Sequence, residues 1–373
     1  MKIGIVLYPT FGGSGIVATE LGKALSRKGH QIHFITYSQP VKLGILRENI
    51  FYHEVSTSDY PLFEYTPYEQ VLTSKLVDVV KYEKLDLLHV HYAIPHASAA
   101  YMAKQILESE GIRIPFVTTL HGTDITLVGR DPSFEPVITF CINRSDAVTT
   151  VSESLKKDTI EHFSINRDIH VIPNFVVPSE NNSENSMKFR RRYVQDDEKV
   201  VCHISNFRKV KRIEDVIKTF AKVNTQVPSK LILIGDGPER FKAEQLSRTL
   251  GINKHVLFLG KLRNTTQLLE ISDLFLLPSE TESFGLAALE AMSVGVPVIS
   301  SNTGGIPEVN LHGYSGFTSN VGDIDDMAEK ALIVLAKENL SKFKEQAKLR
   351  SFEFSMKKVL PMYEDIYSKL VKK

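Results

Sequence analysis

Several features that are scarce in this sequence exclude whole classes of protein. It has only two cysteines, Cys141 and Cys202, far apart and in no CxxC pair, which excludes a disulfide scaffold or a zinc ribbon. Its 45 basic and 44 acidic residues leave a net charge of +1, which excludes a strongly basic nucleic-acid binder. No apolar run approaches the roughly 20 residues that span a bilayer. Without a signal-peptide pattern at Met1, we expect a reduced, cytoplasmic protein.

What the 373 residues do contain is a regular alternation of short apolar runs and amphipathic stretches. This alternation predicts parallel sheets covered on both faces by helices, in about two domains. In the first half the predicted strands are Ile3–Tyr8, Gln31–Thr36, Leu85–His91, Pro115–His121, Ala147–Val151 and Ile169–Ile172, with helices at 14–28, 95–110 and 152–163. In the second half the predicted strands are Lys199–Ser205, Leu231–Ile234, His255–Leu259, Leu274–Leu277 and Val296–Ser300, with helices at 213–223, 238–250, 265–272 and 285–292. Residues 323–373 are expected to be helical, with no further strand.

A polar, turn-rich stretch, Pro178–Ser186, predicts a surface loop just past a domain boundary. We therefore expect a Rossmann-like domain at 1–175, a second at 176–355, and a helix at 356–373 that returns to the first. Doubly wound sheets bind ligands beyond the carboxyl ends of their strands. Two such domains predict an interdomain cleft as the small-molecule site.

The first candidate site is the glycine-rich segment Gly12–Gly15, between the first strand and the first helix. Glycine lets backbone amides approach an anion at a helix N-terminus, although a tight packing turn remains the alternative. The second strand ends in Thr36-Tyr37-Ser38 without the acidic residue of a dinucleotide fingerprint, which argues against a hydride-transfer enzyme.

The second candidate is the segment Ser205–Arg212, which places four cations where a strand passes into a helix. Such cations are unfavourable at a helix N-terminus unless an anion compensates them. The segment therefore predicts a site that stabilises a departing diphosphate, with a solvated basic surface as the alternative.

The third candidate is a pair of carboxylates, Glu282 and Glu290, in the apolar segment 282–292. A carboxylate on an apolar helix is costly unless it is paired or hydrogen-bonded. A ribose diol would satisfy it, and so would an internal ion pair.

The fourth candidate is His121, at the end of a first-domain strand beside Gly122 and two threonines. A histidine there can reach the cleft. His89, His91 and His96 cluster nearby, but His89 lies between apolar neighbours, so packing is favoured over a metal site and no metal is expected. The acidic run from Asp323 most simply begins a helix.

Together these motifs resemble the retaining glycosyltransferases of family 4, which have the GT-B fold. The resemblance covers essentially the whole chain and includes Ile172-Pro173-Asn174 near the boundary. Tyr8–Gly15, His91–His96, Thr118–Thr126 and Ser205–Arg212 resemble the branch that transfers N-acetylglucosamine from UDP-N-acetylglucosamine to L-malate, the first step of bacillithiol biosynthesis. The resemblance implies a metal-independent, UDP-sugar-dependent hexosyltransferase that needs no cofactor.

The resemblance also implies roles for individual residues. Glu290 would accept hydrogen bonds from the ribose, Arg208 and Lys211 would hold the diphosphate, Glu282 would bind sugar hydroxyls, and His121 would lie by the donor sugar. The implied catalytic residues are His121, Glu282, Arg208 and Lys211. The implied donor-binding residues are Gly13, Asn206, Arg208, Lys211, Gly260, Lys261, Glu282, Phe284, Gly285, Leu286 and Glu290. The implied acceptor-binding residues are Ser14, Tyr92, Thr118, Thr119 and Arg144.

The acceptor side departs from the family pattern. Other members carry an arginine where this chain has Thr139. Arg144, five residues later, is the candidate replacement, with a surface role as the alternative. A family-4 enzyme with another acceptor (inositol phosphate, a lipid or a glycan) remains an alternative, and Leu43–Arg47 gives a slight indication of a basic, apolar edge. A nucleotide-sugar-binding regulator without turnover is the alternative from another class. A homo-oligomer is possible, and neither a nucleic-acid partner nor a membrane span is expected.

Overall fold

The computed structural model describes residues 1–10, 12–44, 48–57, 64–177 and 188–372. The chain divides into two compact units: unit 1 is Met1–Asn174 with Met356–Lys373, and unit 2 is Phe175–Ser355. These divisions lie within one residue of the boundaries that the sequence predicts. The predicted loop Pro178–Ser186 and the segment 45–47 lie outside the described residues.

Unit 1 is built on a parallel sheet with seven strands among the described residues, in the order β3-β2-β1-β4-β5-β6-β7. Its strands are β1 (Lys2–Val6), β2 (Gln31–Thr36), β3 (Ile50–Glu54), β4 (Leu87–His91), β5 (Phe116–Leu120), β6 (Ala147–Thr150) and β7 (Ile169–Val171). Its helices include α1 (Gly13–Arg27), α2 (Tyr68–Glu83), α3 (Ser98–Ser109), α4 (Glu135–Arg144) and α5 (Glu153–His162). The strand order reverses between β1 and β4, which opens a crevice at their carboxyl ends.

Unit 2 repeats this plan with six strands among the described residues, in the order β10-β9-β8-β11-β12-β13. Its strands are β8 (Lys199–Ile204), β9 (Ser229–Ile234), β10 (Val256–Gly260), β11 (Leu274–Leu277), β12 (Val298–Ser301) and β13 (Gly316–Ser319). Its helices include α6 (Ile213–Asn224), α7 (Arg240–Thr249), α8 (Thr266–Glu270), α9 (Leu286–Ser293), α10 (Ile306–Val309), α11 (Ile324–Leu335) and α12 (Lys337–Ser351). Here the order reverses between β8 and β11.

The apolar strands are explained by burial on both faces of each sheet. Every residue of β4, β5 and β11 is buried, because helices cover both sides of a parallel sheet. One apolar core lies between β1, β2, β4 and helices α2 and α3. A second lies between the unit 2 sheet and helices α6, α11 and α12.

A last helix, α13 (Met356–Val371), follows unit 2 in sequence and belongs to unit 1. It buries an apolar face that includes Tyr363 and Tyr367. The Tyr367 hydroxyl lies 2.6 Å from Nδ1 of His89, in the middle of β4. Tyr367 thus ties α13 to the centre of the unit 1 sheet.

The predicted fold class is confirmed: both units are Rossmann-like parallel sheets, and a helical region follows the last strand. The strands predicted at Gln31–Thr36 and Leu274–Leu277 have the predicted ends. The sequence did not predict β3, α2, α4 or β13. No helix among the described residues combines the length and apolar character needed to cross a membrane.

Candidate active site

In unit 1, the glycine-rich segment turns the chain sharply at the carboxyl end of β1. A Cβ atom on Gly15 would lie 2.5 Å from the Tyr8 carbonyl oxygen and 2.8 Å from that of Thr10, so only glycine fits this close approach. Helix α1 begins at Gly13, which is exposed. The first amides of a helix have no intrahelical acceptor and carry a partial positive charge. This end of α1 can therefore receive a carboxylate or a phosphate.

Tyr92 and Ser14, both predicted acceptor residues, meet across the unit 1 crevice. Tyr92 follows β4 directly and has a left-handed backbone, with φ of 86°. Its hydroxyl donates to Oγ of Ser14 at 2.7 Å, and its amide donates to the Thr119 carbonyl at 2.9 Å. A single side-chain hydrogen bond therefore joins the segments that follow β1 and β4.

His121 lies beside this bridge, immediately after β5. Its ring centre is 5.1 Å from that of Tyr92, and its Nε2 lies 2.8 Å from Nδ1 of His91. Burial lowers the pKa of His121 to about 3, so the imidazole is neutral at pH 7. Unlike a charged imidazolium, this ring can both donate and accept a hydrogen bond.

Asp124 holds the backbone around His121 in place. This buried carboxylate accepts hydrogen bonds from the amides of Gly122 at 2.9 Å, Ala93 at 3.1 Å and His121 at 3.2 Å. Burial nevertheless raises the pKa of Asp124 to about 6. The carboxylate joins the loops that follow β4 and β5.

Three predicted acceptor residues need correction. Thr118 and Thr119 point to opposite faces of β5 and are fully buried. The Thr118 hydroxyl pairs with Ser145 at 2.7 Å, and that of Thr119 lies 2.7 Å from Nε2 of His89 and 2.6 Å from the hydroxyl of Thr149. Both threonines therefore pack the sheet, and the structure does not support their contact with an acceptor.

The third predicted acceptor residue that needs correction is Arg144, which lies at the opposite edge of the unit 1 sheet from Ser14 and Tyr92. It ends α4, two residues before β6 begins at Ala147, and is therefore at the amino edge. The Asp146 amide, bonded to the carbonyl of Phe116 at the start of β5, confirms this position. The Arg144 guanidinium is exposed over the Phe140 ring, 5.2 Å from its centre.

In unit 2, the basic segment and the Glu282 segment meet at the point where the strand order reverses. Nζ of Lys211 lies 2.5 Å from Oε2 of Glu282, with both side chains about one-fifth exposed. The Glu280 amide donates to the Val210 carbonyl at 2.8 Å. Lys211 and Glu282, far apart in sequence, are thus brought together.

The other cations of the basic segment differ in their surroundings. Arg212 forms an ion pair with Asp215 at 2.5 Å, at the start of α6. Arg208, Lys209 and Asn206 are exposed. Two cations are thus held by internal carboxylates, while the exposed ones offer charge to a ligand.

Glycines fix the shape of the Glu282 segment. A Cβ atom on Gly304 would lie 2.0 Å from the Glu282 carbonyl oxygen, and one on Gly305 would lie 2.3 Å from that of Ser283. The Gly305 amide donates to the Glu282 carbonyl at 2.9 Å. The turn after β12 therefore supports Glu282 by direct backbone contact.

The remaining predicted donor residues lie at the same carboxyl edge of unit 2. Gly285, with φ of 94°, precedes α9, on which Leu286 and Glu290 are half-buried. Phe284 is buried against the Phe354 ring. Gly260 ends β10 and is followed by the exposed Lys261.

Sequence reasoning missed supporting residues in both units. A Cβ atom on Gly235 or Gly237 would fall within about 2 Å of the Ser205 or Asn206 carbonyl oxygen, respectively, so these glycines shape the basic segment. The Gly235-Asp236-Gly237 sequence after a predicted strand was a signal that could have found them. Asp124 carried no such signal, because its three amide partners depend on the tertiary fold.

One group among the described residues has the spacing of a metal site: His33, His53 and Glu83. Nδ1 of His33 lies 2.9 Å from Nε2 of His53, with the ring planes 16° apart. The two nitrogens lie between the ring centres and face each other, as in a hydrogen bond. A shared metal would need both lone pairs to converge on one point.

Two family models match the chain, one in each half. The model of Glycosyltransferase Family 4 matches residues 11–180, and that of Glycosyl transferases group 1 matches residues 185–350.

Full-length relatives agree with these matches. The N-acetyl-alpha-D-glucosaminyl L-malate synthase of Bacillus anthracis is 49% identical over 370 residues, 98% of this chain and 96% of the relative. An uncharacterised glycosyltransferase of Methanocaldococcus jannaschii is 32% identical, over 85% of this chain and 84% of the relative. Among solved structures, Anabaena HepE in complex with UDP and glucose has a TM-score of 0.84 at 20% identity, over 99% of this chain and 100% of that one.

The matches confirm the family that the motifs predicted, and the solved structure confirms the GT-B fold. The chain belongs to family 4 of the glycosyltransferases, enzymes that use a nucleotide sugar as donor.

Proposed function

We propose that this glycosyltransferase moves N-acetylglucosamine from UDP-N-acetylglucosamine to the hydroxyl of L-malate, the first step of bacillithiol biosynthesis. The observation that carries this proposal is the 49% identity, over nearly the full length of both chains, with a relative named for that product. Identity at this level extends over both units, which include the proposed donor and acceptor sites.

We place the donor in the unit 2 crevice. The cations of 208–212 and the backbone amides near Phe284 and Gly285 suit a diphosphate. Glu290 suits the ribose, Glu282 the sugar hydroxyls, and Gly260 with Lys261 the uracil. Because Lys211 is paired with Glu282 before any ligand binds, one cation and one carboxylate are already oriented together.

We place the acceptor in unit 1, at Ser14 and Tyr92. The first amides of α1 and the two hydroxyls offer uncharged partners to the malate carboxylates and hydroxyl. With Thr118, Thr119 and Arg144 removed from this site, the acceptor site consists of the crevice between β1 and β4.

We propose that the reaction proceeds with retention and without a metal. Double displacement needs a free carboxylate nucleophile, whereas Glu282 is held by Lys211 at 2.5 Å. In the proposed route the bond from the anomeric carbon to the diphosphate breaks as the bond to the malate oxygen forms on the same face. The malate proton then passes to the leaving phosphate oxygen. The cations of unit 2 stabilise the charge that develops on UDP.

The test is a mass spectrum of the products formed by the purified protein from UDP-N-acetylglucosamine and L-malate, with EDTA present. A malate-dependent glucosaminyl-malate mass together with UDP is expected, and NMR of the anomeric proton would report retention. UDP release that is independent of malate would overturn the acceptor.

The alternatives are distinguished within the same assay. Transfer to inositol phosphate, a lipid or a glycan instead of malate would reassign the acceptor. UDP binding without turnover on any acceptor would indicate a regulator. Activity that EDTA abolishes and Mg²⁺ restores would overturn metal independence.

A further inference from the structure

His91, which is buried, and His121, which is half-buried, form a pair of imidazoles beside the Ser14–Tyr92 bridge. Nδ1 of His91 and Nε2 of His121 are 2.8 Å apart, and the ring centres are 5.1 Å apart with the planes at 27°. The two nitrogens therefore lie between the rings and face each other. This is the geometry of a hydrogen bond.

Both rings are neutral at pH 7. His91 is completely buried, and its pKa lies well below the ordinary value because of burial and the neighbouring histidines. Burial likewise lowers the pKa of His121. A neutral imidazole carries one N–H and one bare nitrogen, so one ring of the pair donates and the other accepts.

The surroundings of His91 indicate which ring donates. Its other nitrogen, Nε2, is buried and has no hydrogen-bond partner among the described residues. A buried N–H without an acceptor is costly, so the proton is better placed on Nδ1, where it has His121 as acceptor. His96 adopts this arrangement: its Nδ1 must donate to the His91 carbonyl at 2.6 Å, and its buried Nε2 has no partner in the part of the chain that the structure describes.

If His91 donates from Nδ1, the proton of His121 must lie on Nδ1 of its own ring, because Nε2 accepts. We propose that His91 is a positioning residue that fixes His121 as the Nδ1–H tautomer, so that His121 meets its ligand as a neutral hydrogen-bond donor and not as a base.

The ligand of this donor is an oxygen of the transferred sugar or of its diphosphate, and that part of the inference rests on the proposed function. An Nδ1–H group cannot remove a proton from the acceptor hydroxyl. The tautomer therefore agrees with transfer of that proton to the leaving phosphate oxygen. Asp124 supports the arrangement by holding the His121 amide at 3.2 Å.

The tautomer can be read directly in the free protein. Long-range ¹H–¹⁵N NMR of histidine-labelled protein at pH 7 distinguishes a protonated Nδ1 from a protonated Nε2, and a His121→Asn variant assigns the ring. We expect the proton of His121 on Nδ1. A proton on Nε2 would overturn the proposal, whatever the enzyme's substrate is.

Kinetics test the positioning role. His91→Asn keeps a donor near the place of Nδ1, whereas His91→Phe removes it. We expect His91→Phe to lower kcat/KM for UDP-N-acetylglucosamine about tenfold and His91→Asn to restore most of the loss. An exposed histidine, His162, provides the control variant His162→Asn, which should match the parent.

The tautomer also separates positioning from simple packing. With phenylalanine at position 91, Nε2 of His121 loses its donor, so the same NMR measurement on His91→Phe should show protons on both Nδ1 and Nε2 of His121, while His91→Asn should keep the proton on Nδ1. Equal kcat/KM together with an unchanged His121 tautomer in His91→Phe would overturn the positioning role. If no substrate is turned over, the proposed function fails while the NMR result still decides the tautomer.

Discussion

The two units have the same sheet topology at their ligand-facing edges, but the contact that bridges the crevice differs in its chemistry. In each sheet the strand order reverses, and a polar side-chain contact bridges the resulting crevice. In unit 1 the bridge is a neutral hydrogen bond, Tyr92 to Ser14 at 2.7 Å. In unit 2 it is an ion pair, Lys211 to Glu282 at 2.5 Å.

The difference extends to the residues around each bridge. Beside the unit 1 bridge lie the neutral imidazoles of His91 and His96, which are buried, and of His121, which is half-buried. Unit 2 instead has the exposed cations Arg208 and Lys209. A neutral, preorganised edge suits a small ligand that is held by directional hydrogen bonds. A charged edge suits a diphosphate, whose charge grows during the reaction.

Acidification should separate the two units most strongly, because it should lower the folding stability of unit 1 more than that of unit 2. Burial lowers the pKa of His89 and His121 to about 3 and that of His96 to about 4, whereas in the unfolded chain each titrates near 6.5. Below that pH the unfolded state binds more protons, so stability falls as pH falls, by up to about 1.4 kcal/mol per histidine per pH unit. The raised pKa of Asp124 opposes part of this loss, because its native carboxyl binds a proton first. We expect a net loss of several kcal/mol between pH 7 and 5.

Hydrogen exchange read by mass spectrometry at pH 7 and pH 5, corrected for intrinsic rates, checks this prediction. Strands β4 and β5 should lose protection, while β8 and β11 should lose less. Unit 2 has one histidine with such a shift among the described residues, His203, whose pKa burial lowers to about 4. Equal loss in both units would contradict the expected asymmetry.

Removing the charge at the unit 2 bridge should have the next largest effect. Lys211→Met leaves Glu282 without its cation and the diphosphate with one fewer, so we expect kcat/KM for the donor to fall about 10²–10³-fold. Steady-state kinetics measure this, with Lys242→Met as the control, because Lys242 also pairs with a glutamate but is 62% exposed. Parent-like kinetics for Lys211→Met would remove Lys211 from the donor site.

Shifting Glu282 without removing a charge from the Lys211–Glu282 ion pair should have a smaller effect on kcat/KM. A methyl group on Gly305 would meet the Ser283 carbonyl oxygen at 2.3 Å, so Gly305→Ala should shift the Glu282 segment and lower kcat/KM about 10²-fold. Gly313→Ala is the control: the φ of Gly313 is 75°, but no atom of the described residues lies within 4 Å of the added methyl group, so only backbone strain of about 1–2 kcal/mol is expected. Matching losses of activity in the two variants would show that the loss does not depend on displacement of the Glu282 segment.

The smallest expected effect is at the unit 1 bridge. Tyr92→Phe removes one neutral hydrogen bond, which is worth about 0.5–1.5 kcal/mol, so the KM for malate should rise about threefold to tenfold with the donor KM unchanged. The exposed Tyr82 gives the control variant Tyr82→Phe. A larger rise for the donor KM than for malate would place the donor, and not the acceptor, at this bridge.

The sequence predicted the fold well because parallel strands buried on both faces form continuous apolar runs, as Leu274–Leu277 does. It missed β3, which is only partly buried and leaves Phe51 exposed at the edge of the sheet. It also missed the four-residue β13, whose Gly316 has φ of 149° and lies against the Val298 carbonyl. Short or half-exposed elements carry too little periodic signal.

A site residue could be predicted from the sequence when its position followed directly from the strand that precedes it in the chain. Residues immediately after a strand, such as Tyr92 and His121, lie at the carboxyl edge by topology alone. Arg144 was misplaced because the sequence did not predict α4, so nothing indicated that Arg144 ends a helix that returns the chain to the amino edge of the sheet. Thr118 and Thr119 were misplaced because β5 is covered on both faces, so neither face is open to a ligand.

Helix α13 gives the molecule an order of assembly that its sequence order does not suggest. The strands of unit 1 leave the ribosome first, yet Tyr363 and Tyr367, which pack beneath β4 and β5, are synthesised only after all of unit 2. Unit 2 is continuous in sequence, so its core needs no residue from outside 175–355, whereas unit 1 stays incomplete until α13 has been released. A chain truncated after Ser355 should therefore contain a folded unit 2 and an unfinished unit 1, the state in which the chain is most exposed to chaperones and proteases.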